Sequence, residues 1–185
     1  MPQSCVICTW LYILEEPMGV SDTFRPEKSV WTETDFETMG WHDATIHALA
    51  LPTDAFELAL DIDYILRWVD PAEGQTHFRF WVSPATLVFW NLHDLSVNLE
   101  PHQEVTIQGI ERSDPAKPGN ADHIGRDTEW RWTIECHQGE IQFRSCGFWQ
   151  YLRAAPQFGK SQSISVKERG GYSFDRPNEW LRRDV

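Results

Sequence analysis

Apolar and polar positions alternate through the middle of the chain, between Trp41 and Glu111. Phe56, Leu58, Leu60, Ile62, Tyr64 and Leu66 fall on one side, and Glu57, Ala59, Asp61, Asp63 and Ile65 on the other. That is the period of two of a half-buried strand. After the turn-forming run Asp70 to Gln75, Phe78, Phe80 and Val82 alternate with His77, Arg79 and Trp81, which predicts a hairpin with a longer loop. Pro84 is expected to close the returning strand. Leu87 to Trp90 is apolar on both faces, as in a strand covered on both sides. Leu95, Val97 and Leu99 alternate with Ser96, Asn98 and Glu100, and the register continues through Val105 and Ile107. At Gly109 and Ile110 the apolar phase slips by one residue, which predicts a bulge.

Outside this meander the pattern is shorter. Thr34 and Glu37 have capping-box spacing and Gly40 offers a stop, which predicts a short helix over Asp35 to Met39. A first core strand follows from Ala44. Ser113 to Thr128 is rich in Pro, Gly, Asn and Asp without periodicity and reads as a long loop. Trp130, Trp132, Ile134 and Cys136 alternate with Arg131, Thr133, Glu135 and His137; Gln138 and Gly139 turn the chain, and Ile141 and Phe143 return it. Gly147 to Pro156 is expected to form a short helix, Ser163 to Val166 a strand, and the remainder an irregular tail with a final turn.

The resulting expectation is one α+β domain over residues 31–185. It is dominated by antiparallel sheet, either one curved sheet or a partly closed two-layer sandwich, with one or two short helices. Residues 1–30 read as an N-terminal arm, either mobile or, up to Met18, upstream of the native start. Their apolar run Val6 to Leu14 has no Lys or Arg before it and is too short to span a bilayer, so neither a secretory signal nor a membrane anchor is expected. If folded, it would add an edge strand.

Composition narrows the function classes. The chain has 185 residues, enough for a core without disulfide or metal staples. Its formal charge of −12 and pI near 4.9 disfavour a nonspecific grip on nucleic acid or anionic membrane and suit a basic partner. Cys5, Cys8, Cys136 and Cys146 have no spacing of a disulfide framework, so a reduced, cytoplasmic protein is expected. Cys5 and Cys8 form a Cys-x-x-Cys pair without the second close pair that a structural zinc site needs. No cofactor is expected, and the metal content and oligomeric state are left open.

Candidate polar chemistry concentrates at two His-Asp dyads, His42-Asp43 and His93-Asp94, and at Asp61 and Asp63. The two aspartates share a strand face with Glu57, where they could hold a cation or a cationic partner, and His47 could approach them. Aspartate is disfavoured within strands, so the pair invites explanation. Trp41, Arg79 and Trp81 complete the candidate binding set with His42, Asp43, Asp61 and Asp63; ten tryptophans leave several on presumed outward positions. Arg144, Arg153, Lys160, Lys167, Arg169, Arg176, Arg182 and Arg183 make the C-terminal part more basic, as an anion site or an intramolecular partner for the acidic meander. No phosphate loop, nucleophile elbow or His-Glu-x-x-His helix occurs, so enzymatic activity has no positive motif.

The segments WHDATIHALAL, ELALDIDYILRW and TLVFWNLHDLSVNLE, continuing to GFWQYLRAAP, resemble an uncharacterised group of small bacterial proteins. That group has a His-Asp strand opening and an Asp-Ile-Asp-Tyr strand, and is distantly similar to immunity proteins of polymorphic toxin systems. The resemblance implies a mostly β cytoplasmic protein that neutralises a toxin by binding it, and it supplies no catalytic residues. The rival expectations are a metal-dependent hydrolase using His42, Asp43, Asp61 and Asp63, and a small-ligand carrier with a closed apolar cavity. The hydrolase requires its four side chains to converge on one metal.

Overall fold

The computed structural model describes residues 24–100 and 103–177. The first seventeen residues, Cys5 with Cys8 and the final turn lie outside them. Ten strands follow in chain order: β1 Val30–Thr32, β2 Thr45–Ala50, β3 Glu57–Val69, β4 Arg79–Trp90, β5 His93–Leu99, β6 Val105–Ala116, β7 Glu129–Cys136, β8 Gly139–Ser145, β9 Gly147–Leu152 and β10 Gln157–Gly159. They form one antiparallel sheet in the order β1-β9-β4-β3-β2-β6-β7-β8-β5, with β10 also paired to β4. No pairing joins β1 to β5, so the sheet is open, and the fold is mainly antiparallel β as the alternation predicts.

Strands from both halves of this order nevertheless share the main core cluster. Leu58, Leu60 and Ile62 of β3, Leu87 and Phe89 of β4, and Phe148 of β9 cluster with Ile107 of β6, Trp132 and Ile134 of β7, and Phe143 of β8. Only Thr45↔Thr106 and Ile46↔Val105 pair β2 with β6. Side-chain packing, more than ladder hydrogen bonds, therefore holds the halves together. Trp132 is fully buried at this junction, with ring centroids 5.4 Å from Phe36, 5.1 Å from Phe89 and 5.9 Å from Phe148.

Several local expectations hold. The β7–β8 hairpin forms, turning at His137 and Gln138, one residue before the expected Gln138 and Gly139, and β6 slips register between Ile107 and Gly109. Gly139 permits close approach of β5, because a Cβ there would sit 2.0 Å from the Asn98 carbonyl oxygen.

Other expectations are corrected. β4 runs straight through Pro84, which pairs with Asp63. Pro84 O accepts from Arg153 N at 2.9 Å, on the side where β10 ends at Val82 and β9 begins at Ala85. In a strand N and C=O of one residue face the same side, so the missing N–H falls in this gap and costs β3 no hydrogen bond. Gly147 to Leu152 is strand β9, not helix: Phe148, Gln150 and Leu152 are buried between β1 and β4. Ser163 to Val166 joins no ladder, although Ile164 is buried against Ile65, Phe80 and Val82. The loop expected from Ser113 is shorter, since β6 reaches Ala116 and a single turn, α1, spans Ala121–Ile124. The predicted helix is a 3-10 helix, Glu33–Thr38, whose capping box uses Thr32 and Asp35. Phe56 has positive φ, is largely exposed and stands outside β3. The described end of the N-terminal arm joins the fold, with Phe24 against Trp81 and Val30 opening β1.

Candidate functional site

β3 is buried on both faces over Glu57 to Ile65. One face enters the core. The other carries Asp61 and Asp63, whose side chains are wholly inaccessible beneath residues 160–177, an irregular strap that follows β10. Arg169 of the strap inserts between them. Its Nη2 and Nη1 donate to Asp61 at 2.6 and 2.7 Å, and its Nε donates to Asp63 at 3.1 Å. Arg153 Nη2 adds a bond to Asp61 at 2.5 Å, and the backbone N–H of Ser173 donates to Asp61 at 3.0 Å. Asp63 also accepts from Ile164 N at 2.6 Å, and His47 Nε2 lies 2.9 Å from it. Farther along, Arg176 grips Glu57 through Nη1 and Nη2, one on each carboxylate oxygen.

All four carboxylate oxygens of the aspartate pair are thus occupied, and two guanidinium charges balance the two carboxylates. This accounts for aspartate inside a strand: burial of the charges is offset by paired, hydrogen-bonded cations. The face expected to meet an outside partner is covered by the chain's own arginines. Burial alone raises the Asp61 pKa, but hydrogen bonds from Arg169 and Ser173 and the charges of Arg153 and Arg169 overcome it, and the net direction is down.

A group depressed in the folded state stabilises the fold above its unfolded pKa, about 3.9, and loses that contribution as pH falls through the folded value. Stability is therefore expected to hold from pH 7 to about 5 and to fall steeply below about pH 4. Urea unfolding across that range measures it; a flat profile down to about pH 2.5 would contradict the buried network.

A second network lies on the other half of the sheet. Arg144 donates through Nε to Glu129 at 3.0 Å and through Nη1 to Asp114 at 2.8 Å, while His93 Nε2 lies 3.0 Å from Glu129. The His93-Asp94 dyad belongs to this cluster, with Nδ1 3.3 Å from Asp94. Arginine again engages the Glu129 and Asp114 carboxylates, while Asp94 is exposed beside His93.

The His42-Asp43 dyad lies elsewhere, at the turn before β2. His42 is exposed, its Nδ1 3.2 Å from Gln108 O and its ring stacked 6.5 Å from Trp68. Asp43 adopts φ 64° and accepts from Gln162 Nε2 at 2.7 Å. Here a groove of about 800 Å³ opens between the β3–β4 hairpin and the strap. Trp68, Phe78 and Phe80 form its aromatic side, with Phe80 4.9 Å and Phe78 5.7 Å from Trp68 in edge contacts. Arg79 and Lys160 supply the cationic groups of its lining, and His77 lies among them. Trp68 and Phe78 are 42% and 43% exposed, beside a concave surface with polar groups, as binding sites commonly are.

The structure thus brings Asp43 and Arg79 to one groove, with His42 stacked on its Trp68, and puts the other candidates in the interior. Trp41 is buried, its Nε1 donating to Gln150 at 2.8 Å, and Trp81 is buried between Phe24 and Phe158. Asp61 and Asp63 lie beneath the strap. Among the described residues no group of three or more His, Cys, Asp or Glu is placed to hold a metal ion, so the four residues named for a hydrolase do not form one such centre. Burial pushes the Cys136 thiol up to about 11, away from nucleophilic use. Sequence reasoning did not place Trp68, Phe78 or Gln162 at a site and named Lys160 only within the basic C-terminal cluster; the signals were that cluster and Trp68 placed just before a turn-forming run. No helix among the described residues is long and apolar enough to cross a membrane.

Comparison with known proteins finds no matching protein family, no matching curated protein and no matching solved structure.

Proposed function

We propose that this protein works by binding another protein, anchored at the groove between the β3–β4 hairpin and the strap. The observation that carries the reading is the pair of exposed rings, Trp68 and Phe78, at the mouth of a concavity with polar groups around it. Large rigid aromatics of this kind supply most of the binding energy at many interfaces. In the two internal networks four arginines engage five carboxylates, Glu57, Asp61, Asp63, Asp114 and Glu129. Of 16 basic and 28 acidic residues, 12 and 23 remain, so eleven of the twelve excess negative charges belong to the rest of the chain. That field favours encounter with a basic protein. The most concrete version is neutralisation of a basic toxin, as the resemblance to immunity proteins implies.

The test uses wild-type protein and the Trp68→Ala/Phe78→Ala double variant as baits in extract of the source cell. A polypeptide held stoichiometrically by wild type is expected to lose affinity by about thirtyfold or more on the double variant, since anchors are worth about 2 kcal/mol or more. Expressed alone it should arrest growth, and coexpressed with the wild-type chain it should not. Equal retention by both baits would remove the groove as anchor. Retention without toxicity would remove the neutralising role.

A further inference from the structure

We propose that the groove takes an aromatic ring bearing a carboxylate, as presented by a polypeptide that ends in an aromatic residue. This rests on the reading of the groove as the anchor site and adds the chemistry of what enters it.

The argument begins from a local inversion of charge. The chain as a whole carries −12, yet among the groove's charged residues Arg79 and Lys160 face a single carboxylate, Asp43. That carboxylate is engaged: Gln162 donates to one oxygen at 2.7 Å, and His42 Nε2 stands 3.6 Å from the other. Neither Arg79 nor Lys160 has a carboxylate partner among the described residues; Arg79 lies over the Phe158 ring at 5.4 Å, and Lys160 is exposed. In an acidic protein, cations without partners beside a concave surface are the exception. They favour an anion at this spot while the wider surface favours a basic body.

The rings determine what accompanies the anion. Phe80 and Phe78 meet Trp68 edge-on and His42 stacks on it, so an entering ring finds aromatic faces and edges in offset geometries. A volume of about 800 Å³ accommodates a benzyl or indolyl group together with the terminal peptide that carries it. A polypeptide ending in Phe, Tyr or Trp joins ring and carboxylate on adjacent atoms and can still belong to a basic protein. One terminal charge then satisfies the groove without opposing the long-range attraction.

The wall that holds Lys160 and Gln162 is itself fixed. The next residues of the strap are tied down by Ile164 N on Asp63 and by Arg169 on both aspartates. The buried network thereby positions the groove's cationic rim without touching what binds there.

The test follows the Trp68 indole N–H signal of isotopically labelled full-length protein by NMR, identified with Trp68→Phe. Three probes are titrated: N-acetyl-Gly-Gly-Phe with a free carboxylate, the same peptide amidated, and phenethylamine. The free acid is expected to shift the signal saturably and to bind about tenfold or more tightly than the amide, because a charge-assisted contact is lost in the latter. Lys160→Ala, an exposed position whose change leaves the remaining spectrum in place, should erase that preference. Equal or tighter binding of the amide or the amine would overturn the proposal, as would absence of any shift with the acid at millimolar concentration. Should the protein partner still depend on Trp68 and Phe78 in that event, the anchor reading stands and only its chemistry falls.

Discussion

Arg169→Ala is expected to lower the unfolding free energy by about 3–5 kcal/mol, because removing one member of a buried ion network leaves its partners charged and uncompensated. A domain of this size has a total of about 5–15 kcal/mol to lose from. The variant should therefore unfold at far lower urea concentration, or fail to accumulate folded at 37 °C. Two aspartates are exposed to this loss at once. Arg169 supplies three bonds to Asp61 and Asp63 from a side chain with no exposure, and Arg153 alone would remain to balance both charges. Lys117→Ala is the control. Its contact with Asp122, at 3.9 Å between exposed side chains, should be worth less than about 0.5 kcal/mol. A loss under about 1 kcal/mol in Arg169→Ala would mean that the strap does not seal the aspartate pair.

Trp132→Ala is expected to cost a comparable 3–5 kcal/mol, read from the shift in urea midpoint at constant slope. The indole packs where the halves of the sheet meet, against Phe36, Phe89 and Phe148, and its Nε1 donates to Ser145 O at 3.1 Å. With only two residue pairs joining β2 to β6, little else compensates for a cavity there. Trp132→Phe should cost distinctly less, since it keeps much of the ring packing and loses one hydrogen bond. Equal stability of Trp132→Ala and wild type would show that the halves do not depend on a shared core.

The alternation of the β7–β8 hairpin was legible because β7 buries nearly every second residue, and that of β3 because its core face is apolar while its other face, also buried, carries carboxylates; the slip at Gly109 was legible because a bulge moves the apolar phase. β9 was not, because Gly147 to Leu152 is too short for a period to separate helix from strand, and its partner β4 lies more than fifty residues earlier in the sequence. Pro84 misled for a related reason: its tolerance depends on a gap between two neighbouring strands, which no local pattern records. At the candidate site, Asp61 and Asp63 stood out as aspartates in a strand, and the basic C-terminal part was visible as a partner for them. What periodicity could not supply was the path of residues 160–177, which has no repeat of its own and takes its shape from the carboxylates it covers. The groove was hidden for the same reason, since one wall comes from β3 and β4 and the other from that strap.

The division between a sealed acidic network and an open aromatic groove rests on the strap being bound as firmly as the core. Amide hydrogen exchange of Ile164 and Ser173, measured by NMR on the intact protein, tests it directly. Both N–H groups donate to the buried carboxylates, at 2.6 and 3.0 Å. They should exchange with protection close to that of Leu60 and Phe89, opening only when the domain unfolds. Exchange of both at the rate of free chain, with Leu60 and Phe89 still protected, would contradict the account and return Asp61 and Asp63 to the surface as a site for an outside cation.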